Sequence, residues 1–249
     1  MEDTAKDGVA AGGPTADGHA PAMDVAIVHY NTPELTAACI KSVRRNTPGC
    51  RFTVFDNSDK RPFVPMEGVE VIDNTRGQII NFKAMICRYP DRVETCNGHA
   101  SSKHIASVDK LFDYLPDGFV LLDSDVLIYR DIAGFFDRSK AWVGHIEQRP
   151  QLWFQAPRLY PFLLWINVPM LRVCGIRFWH EGYSYKLSHQ GAPPFYDTGA
   201  SLLRDCRLAG LPTREENIFD YLIHYGGASY SKTPDDVFLW LRNHRHLYL

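Results

Sequence analysis

The chain is short of several features that would decide its function outright. Its 27 Lys and Arg nearly balance 29 Asp and Glu, a net charge of -2, so nucleic acid is not expected as a partner. Six cysteines (Cys39, Cys50, Cys87, Cys96, Cys174 and Cys206) form no CxxC or CxH pair. Structural zinc is therefore not expected, and free thiols in a reducing, cytoplasmic compartment account for them. The acidic start carries no apolar segment, so no secretory signal is expected. The apolar stretch from Leu159 to Ile176 is interrupted by Pro161, Pro169 and Arg172, which argues against a membrane-spanning helix. Neither a GxGxxG after the first predicted strand nor a Gly-Lys-Ser/Thr loop is present, which excludes the usual dinucleotide and P-loop signatures.

What is there suits one globular domain. At 249 residues and 45% hydrophobic content, the chain can bury a sizeable core. Residues 1–22 are Ala, Gly, Asp, Thr and Pro with little to bury, and are expected to be a disordered tail. From residue 23 apolar runs alternate with amphipathic stretches. Asp24 to Val28 reads as a buried strand, followed by Thr32 as helix N-cap, Pro33 at the first helical position and Glu34 in the first turn. Further strands are expected at Phe52–Phe55, Val69–Ile72, Phe119–Leu122 and Trp142–Ile146, with a helix over Ile105–Leu115 closed by Pro116-Asp117-Gly118. This order predicts an α/β fold with a mostly parallel sheet and a site along its C-terminal edge.

The Phe119 run stops on Asp123-Ser124-Asp125. Two carboxylates one residue apart at a strand tip call for a cation between them. Carboxylate oxygens suit Mg2+ or Mn2+, which leave coordination positions open for substrate phosphates. A solvated turn is the alternative reading of the tripeptide.

Residues 25–35 (VAIVHYNTPEL), 52–58 (FTVFDNS), 120–126 (VLLDSDV), 197–204 (DTGASLLR) and 224–229 (HYGGAS) together resemble family 2 glycosyltransferases of GT-A fold. The resemblance spans residues 24–232 and departs from the family where a Glu-Asp pair is usual; here only Arg214-Glu215-Glu216 and Asp220 stand there. It implies a nucleotide-sugar half at 23–146, and an acceptor half at 147–249 that returns a closing metal ligand. It further implies a donor that is a UDP-, GDP- or dTDP-linked sugar, and a glycan or lipid-linked glycan as acceptor. Asp125 and His224 would hold Mn2+ or Mg2+, with Asp123 and Ser124 beside the metal or the ribose, and Gly226 and Gly227 leaving backbone room for phosphates. The His29-Tyr30-Asn31 backbone and Asp56 would border the base and ribose, unless Asp56 merely forms a turn with the residues after it. Lys103 and His104 would approach the phosphates, or else are a helix-surface pair. For an inverting transfer Asp197 is the first choice of base, with a helix N-cap as its alternative; Glu181, Glu215 and Glu216 stand in reserve. Arg242 to His246 would give at most peripheral contact with an anionic membrane. A binding protein that has lost catalysis and a sugar-phosphate nucleotidyltransferase are the competing functions.

Overall fold

Strand-length apolar runs followed by one-sided helices dictate the core. The computed structural model describes residues 22–93, 101–148, 156–186, 195–226 and 233–249. In chain order these form β1 (Asp24–His29), α1 (Pro33–Asn46), β2 (Arg51–Asp56), β3 (Val69–Asp73), α2 (Phe82–Arg88), α3 (Ser101–Tyr114) and β4 (Phe119–Asp123). There follow β5 (Val126–Ile128), β6 (Trp142–Gly144), β7 (Ile146–Glu147), β8 (Arg158–Leu159), β9 (Leu163–Ile166) and α4 (Val168–Val173). The described chain closes with α5 (Ala200–Leu208), β10 (Arg214–Glu215), β11 (Leu222–His224) and α6 (Pro234–Asn243).

The central sheet has the order β10-β6-β9-β4-β1-β2-β3. β4, β1, β2 and β3 run parallel, as do β6 and β10, while β9 runs antiparallel between β6 and β4. The strands with helical crossovers therefore all end at one edge, as the sequence led us to expect. Side chains alternate across the sheet. Val25, Ile27, Val120 and Leu122 meet Cys39, Ile40 and Val43 of α1 on one face. Ala26, Val28 and Leu121 meet Ile105, Val108 and Phe112 of α3, together with Leu202 and Leu203 of α5, on the other.

The expected elements form, with three differences. Thr32 caps α1 by position and Pro33 opens it, but the Thr32 side chain makes no capping bond; its Oγ1 lies 3.3 Å from Ser124 Oγ. The run Trp142–Ile146 is not one strand. The His145 carbonyl accepts the Tyr160 N–H at 2.9 Å, and the chain leaves the central sheet to form the separate β7–β8 ribbon. The Leu159–Ile176 stretch folds into core strands and α4, and Trp165 is fully buried with Nε1 donating to the Asp137 carbonyl at 2.9 Å. Trp165 is thus a core residue, and residues 1–21, the expected tail, lie outside the described residues. No described helix is long and apolar enough to cross a membrane.

Gly118 sets the angle at which the chain leaves α3 for β4. Its φ is 97°, and an added Cβ would stand 2.6 Å from the Ile166 carbonyl oxygen and 2.8 Å from the Trp165 ring. Both the backbone conformation and the space demand glycine. Gly118→Ala is expected to lower unfolding stability by about 1–3 kcal/mol in urea titration, the usual cost of such strain. An unchanged midpoint and slope would contradict this reading.

Candidate functional site

Residues a hundred positions apart meet because β4 does not end the chain's use of that edge. After Asp123 the chain turns through Ser124 and Asp125 into β5, which pairs antiparallel with β11. The register sets His224 opposite Val126, and the Tyr225 N–H donates to the Asp125 carbonyl at 2.9 Å. α1 fixes β5 from the other side: Ile128 N–H donates to Ser42 Oγ at 2.9 Å, and Asn46 Nδ2 donates to the Ile128 carbonyl at 3.0 Å. One ligand atom each from Asp123, Asp125 and His224 therefore lies within 4.8 Å of the others.

Each carboxylate of this group has its own imidazole. His224 Nε2 is 3.2 Å from Asp125 Oδ1, and His104 Nε2, from α3, is 3.2 Å from Asp123 Oδ1. Burial opposes a charge on His224, but the Asp125 hydrogen bond and the charges of Asp125 and Asp123 outweigh it and raise the His224 pKa above 6.5. Burial likewise pushes the Asp123 carboxyl upward. The hydrogen bond and charge of His104, with the charges of His224 and Arg158, prevail and hold it below the usual carboxylate range. Two oxygen donors and one imidazole nitrogen fit a divalent ion. Ser124 reaches Thr32, as described above. Gly226 follows with φ 73°, whereas Gly227 lies outside the described residues.

At the neighbouring strand tips the expected nucleotide contacts are turned mostly inward. Asp56 is 2% exposed; its two carboxylate oxygens accept the Ser58 N–H at 2.9 Å and the Phe63 N–H at 2.8 Å. It shapes the 57–63 loop, the turn-forming alternative for this residue. His29 is fully buried, with Nε2 3.3 Å from the Arg61 carbonyl oxygen and Nδ1 2.7 Å from Thr36 Oγ1. Asn31 takes a left-handed conformation at φ 56°, and its Oδ1 accepts the Lys60 and Arg61 N–H groups at 3.0 and 2.9 Å. Tyr30 is buried at 8% exposure, and its phenol pKa is raised by burial and by Asp59. Lys103, on α3, lies 5.5 Å over the Phe82 ring.

On the far side of His224, Arg158 joins two acids. Its Nε is 2.5 Å from Glu147 Oε2, and its second nitrogen pairs with Asp197; all three side chains are 12–13% exposed. Asp197 Oδ1 also accepts the Thr198 N–H at 2.7 Å. Both oxygens of the expected base are thus engaged. The helix-cap alternative for Asp197 does not hold, because Gly199, with φ 80°, occupies the cap position of α5. Among the reserves, Glu216 pairs with Arg214 at 3.1 Å and Glu181 accepts from the Tyr89 hydroxyl at 2.8 Å, while Glu215 is exposed in β10. Sequence reasoning missed Arg158, Glu147 and Phe162. The alternation Arg158, Tyr160, Phe162 was the available signal, since such a period puts three side chains on one face of an extended segment. A cavity of about 500 Å³ lies among the strand starts, lined by Asp24, Arg51, Thr53, Glu70 and Asp117, at the opposite edge from these groups.

No protein-family model matches the chain, and no curated protein matches it in sequence. Solved structures do. The galactosyltransferase LgtC, in complex with donor and acceptor sugar analogs, is similar over 91% of this chain and 95% of its own, at 14% identity and TM-score 0.56. An active-site mutant of LgtC matches over 87% of this chain and 81% of its own, at 16% identity and TM-score 0.51. The bifunctional enzyme WbbM, without ligand, aligns with 93% of this chain and 53% of its own, at 14% identity and TM-score 0.42. The LgtC likeness establishes the fold as the GT-A-like α/β fold of glycosyltransferase structures.

The buried His29 ring makes stability depend on pH. Burial comes first among the influences on it and lowers its pKa below 6.5, against the opposing charge of Asp56. The unfolded chain then takes up a proton more readily than the folded one, so stability is lost as pH falls from 6.5 toward the folded value. Relative to His29→Gln, the wild-type stability advantage in urea unfolding is expected to be greatest above pH 6.5 and to shrink below it. A difference independent of pH between 5 and 8 would contradict this.

Proposed function

We propose that this protein transfers a sugar from a nucleoside diphosphate sugar to a glycan or lipid-linked glycan acceptor, with a divalent ion, Mn2+ before Mg2+, at the strand edge. The observation that carries this reading is the convergence of Asp123, Asp125 and His224 at the C-terminal edge of a GT-A-like sheet. The LgtC structure holds donor and acceptor sugar analogs on the same fold, which supports the substrate class. When bound, the ion would supply Lewis acidity to the departing diphosphate.

The chain's own groups do the remaining work. Asp125 and His224 hold the ion, and Asp123, tied to His104, takes a third position or a ribose hydroxyl. Lys103 at the start of α3 and the Gly226 backbone face the phosphates. Tyr30 and Asn31 border the base, and Asp56 serves the same wall by fixing the 57–63 loop. In this reading residues 23–146 carry the donor and residues 147–249 the acceptor. Any membrane contact is peripheral and cytoplasmic, through the Arg242–His246 end. An inverting course would need Asp197 to be released from Arg158 in the acceptor complex, so that its carboxylate can take the acceptor proton. A second reading, a nucleotide-sugar-binding protein without turnover, is favoured by that same pairing of Asp197.

Purified protein stripped with EDTA is expected to lose transfer from nucleotide sugars and to regain it with Mn2+. Asp125→Asn and His224→Ala are expected to remain folded and to lose transfer. Asp197→Asn should lower it roughly 10²–10⁴-fold if Asp197 is the base. Product anomer assignment by NMR reads the stereochemistry. Donor binding without transfer to any acceptor supports the second reading, and full turnover in metal-free protein would overturn the first.

A further inference from the structure

The rings beyond His224 form a stack that no step above uses. Phe162 lies against the His224 imidazole with centroids 3.8 Å apart and planes 28° from parallel. Tyr160 stacks on Phe162 at 4.7 Å and 26°, and His145 stacks on Tyr160 at 5.6 Å and 12°. Phe219 meets both Tyr160 and His145 edge-on, at 5.8 and 5.7 Å. The far end is pinned by polar contacts. The Tyr160 hydroxyl donates to Glu147 Oε1 at 2.7 Å, while Glu147 and Asp197 clasp the Arg158 guanidinium, which lies 5.5 Å over the Tyr160 ring.

Such a column has little use as a sugar platform. Tyr160 and Phe162 each sit between two stacked neighbours, so their ring faces are already covered. What it does control is the plane of the last ring. The imidazole has two ways to be held: by the bond its nitrogen makes, here Nε2 to Asp125, and by what lies on its face. A hydrogen bond alone leaves rotation about that bond open, and a flat ring at 3.8 Å closes it. Groups that orient a metal-bound histidine are worth a large share of the metal affinity.

We infer that Phe162 is a positioning residue for the candidate metal centre: its ring, braced by Tyr160 and the Glu147–Arg158–Asp197 cluster, fixes the imidazole plane of His224 for ion binding. This rests on the metal reading of Asp123, Asp125 and His224, and the test separates the two. Mn2+ binding to full-length protein is measured by electron paramagnetic resonance titration at constant pH, with thermal unfolding in EDTA as the measure of folding. His224→Ala should bind Mn2+ far more weakly than wild type. Phe162→Leu, which keeps much of the volume but no flat face, should weaken Mn2+ binding roughly 10- to 100-fold in protein that remains folded. Phe162→Tyr, which keeps the ring, should bind within about threefold of wild type. If Phe162→Leu does not fold, Phe162→Met takes its place as the flexible apolar substitute. Wild-type Mn2+ affinity in folded Phe162→Leu or Phe162→Met, with His224→Ala impaired, would overturn the inference and leave the metal centre standing. Equal Mn2+ binding by wild type and His224→Ala would overturn both.

Discussion

The site depends on one backbone pairing, the antiparallel ladder between β5 and β11. It joins the turn after Asp123 to a segment nearly a hundred residues later, and its register alone decides that His224 faces Asp125. A slip of one residue would send His224 to the other side of the ribbon, because strand side chains alternate. The three-residue strands are too short to hold this register unaided. They are held by α1 through Ser42 and Asn46, and by an apolar layer in which Val126, Ile128 and Leu222 join the core. Packing thus fixes the chemistry: the same helix that covers one face of the sheet also fixes the ribbon.

Charge is balanced along the edge in pairs. His104 answers Asp123, His224 answers Asp125, and Arg158 answers both Glu147 and Asp197. Buried acids left alone would cost several kcal/mol each, so these pairings let a cluster of carboxylates persist at a half-buried edge. An arriving divalent ion would take over part of the role that the imidazoles play at Asp123 and Asp125. On the proposed reading an ion would meet carboxylates already paired, while Asp197 is committed to Arg158.

Most of the fold was legible from apolar periodicity. β1, β2, β3 and β4, with α1 and α3, are long enough for a pattern of two or of three to four residues to stand out. β5, β8 and β11 were not legible, because strands of two or three residues carry no period. Asp123 and Asp125 declared themselves as acids ending an apolar run. His224 was found only through a resemblance, since nothing local marks a lone histidine. Asp56 allowed two readings for a physical reason: an aspartate at a strand tip suits a ligand and a turn equally well, and its two oxygens accept the N–H groups of Ser58 and Phe63. The alternation of Arg158, Tyr160 and Phe162 was legible, but the partners of Arg158 were not, because Glu147 and Asp197 come from separate segments that meet only through tertiary packing.

The central claim is that the β5–β11 register builds a divalent-ion site for a diphosphate donor. The most direct measurement is a crystal structure of the protein with Mn2+ and a nucleoside diphosphate, with data collected at the manganese absorption edge. The account predicts an anomalous peak within about 2.4 Å of Asp125 and His224 ligand atoms, with diphosphate oxygens completing the shell. An ordered nucleotide with no anomalous peak at these residues, or a peak elsewhere, would contradict it.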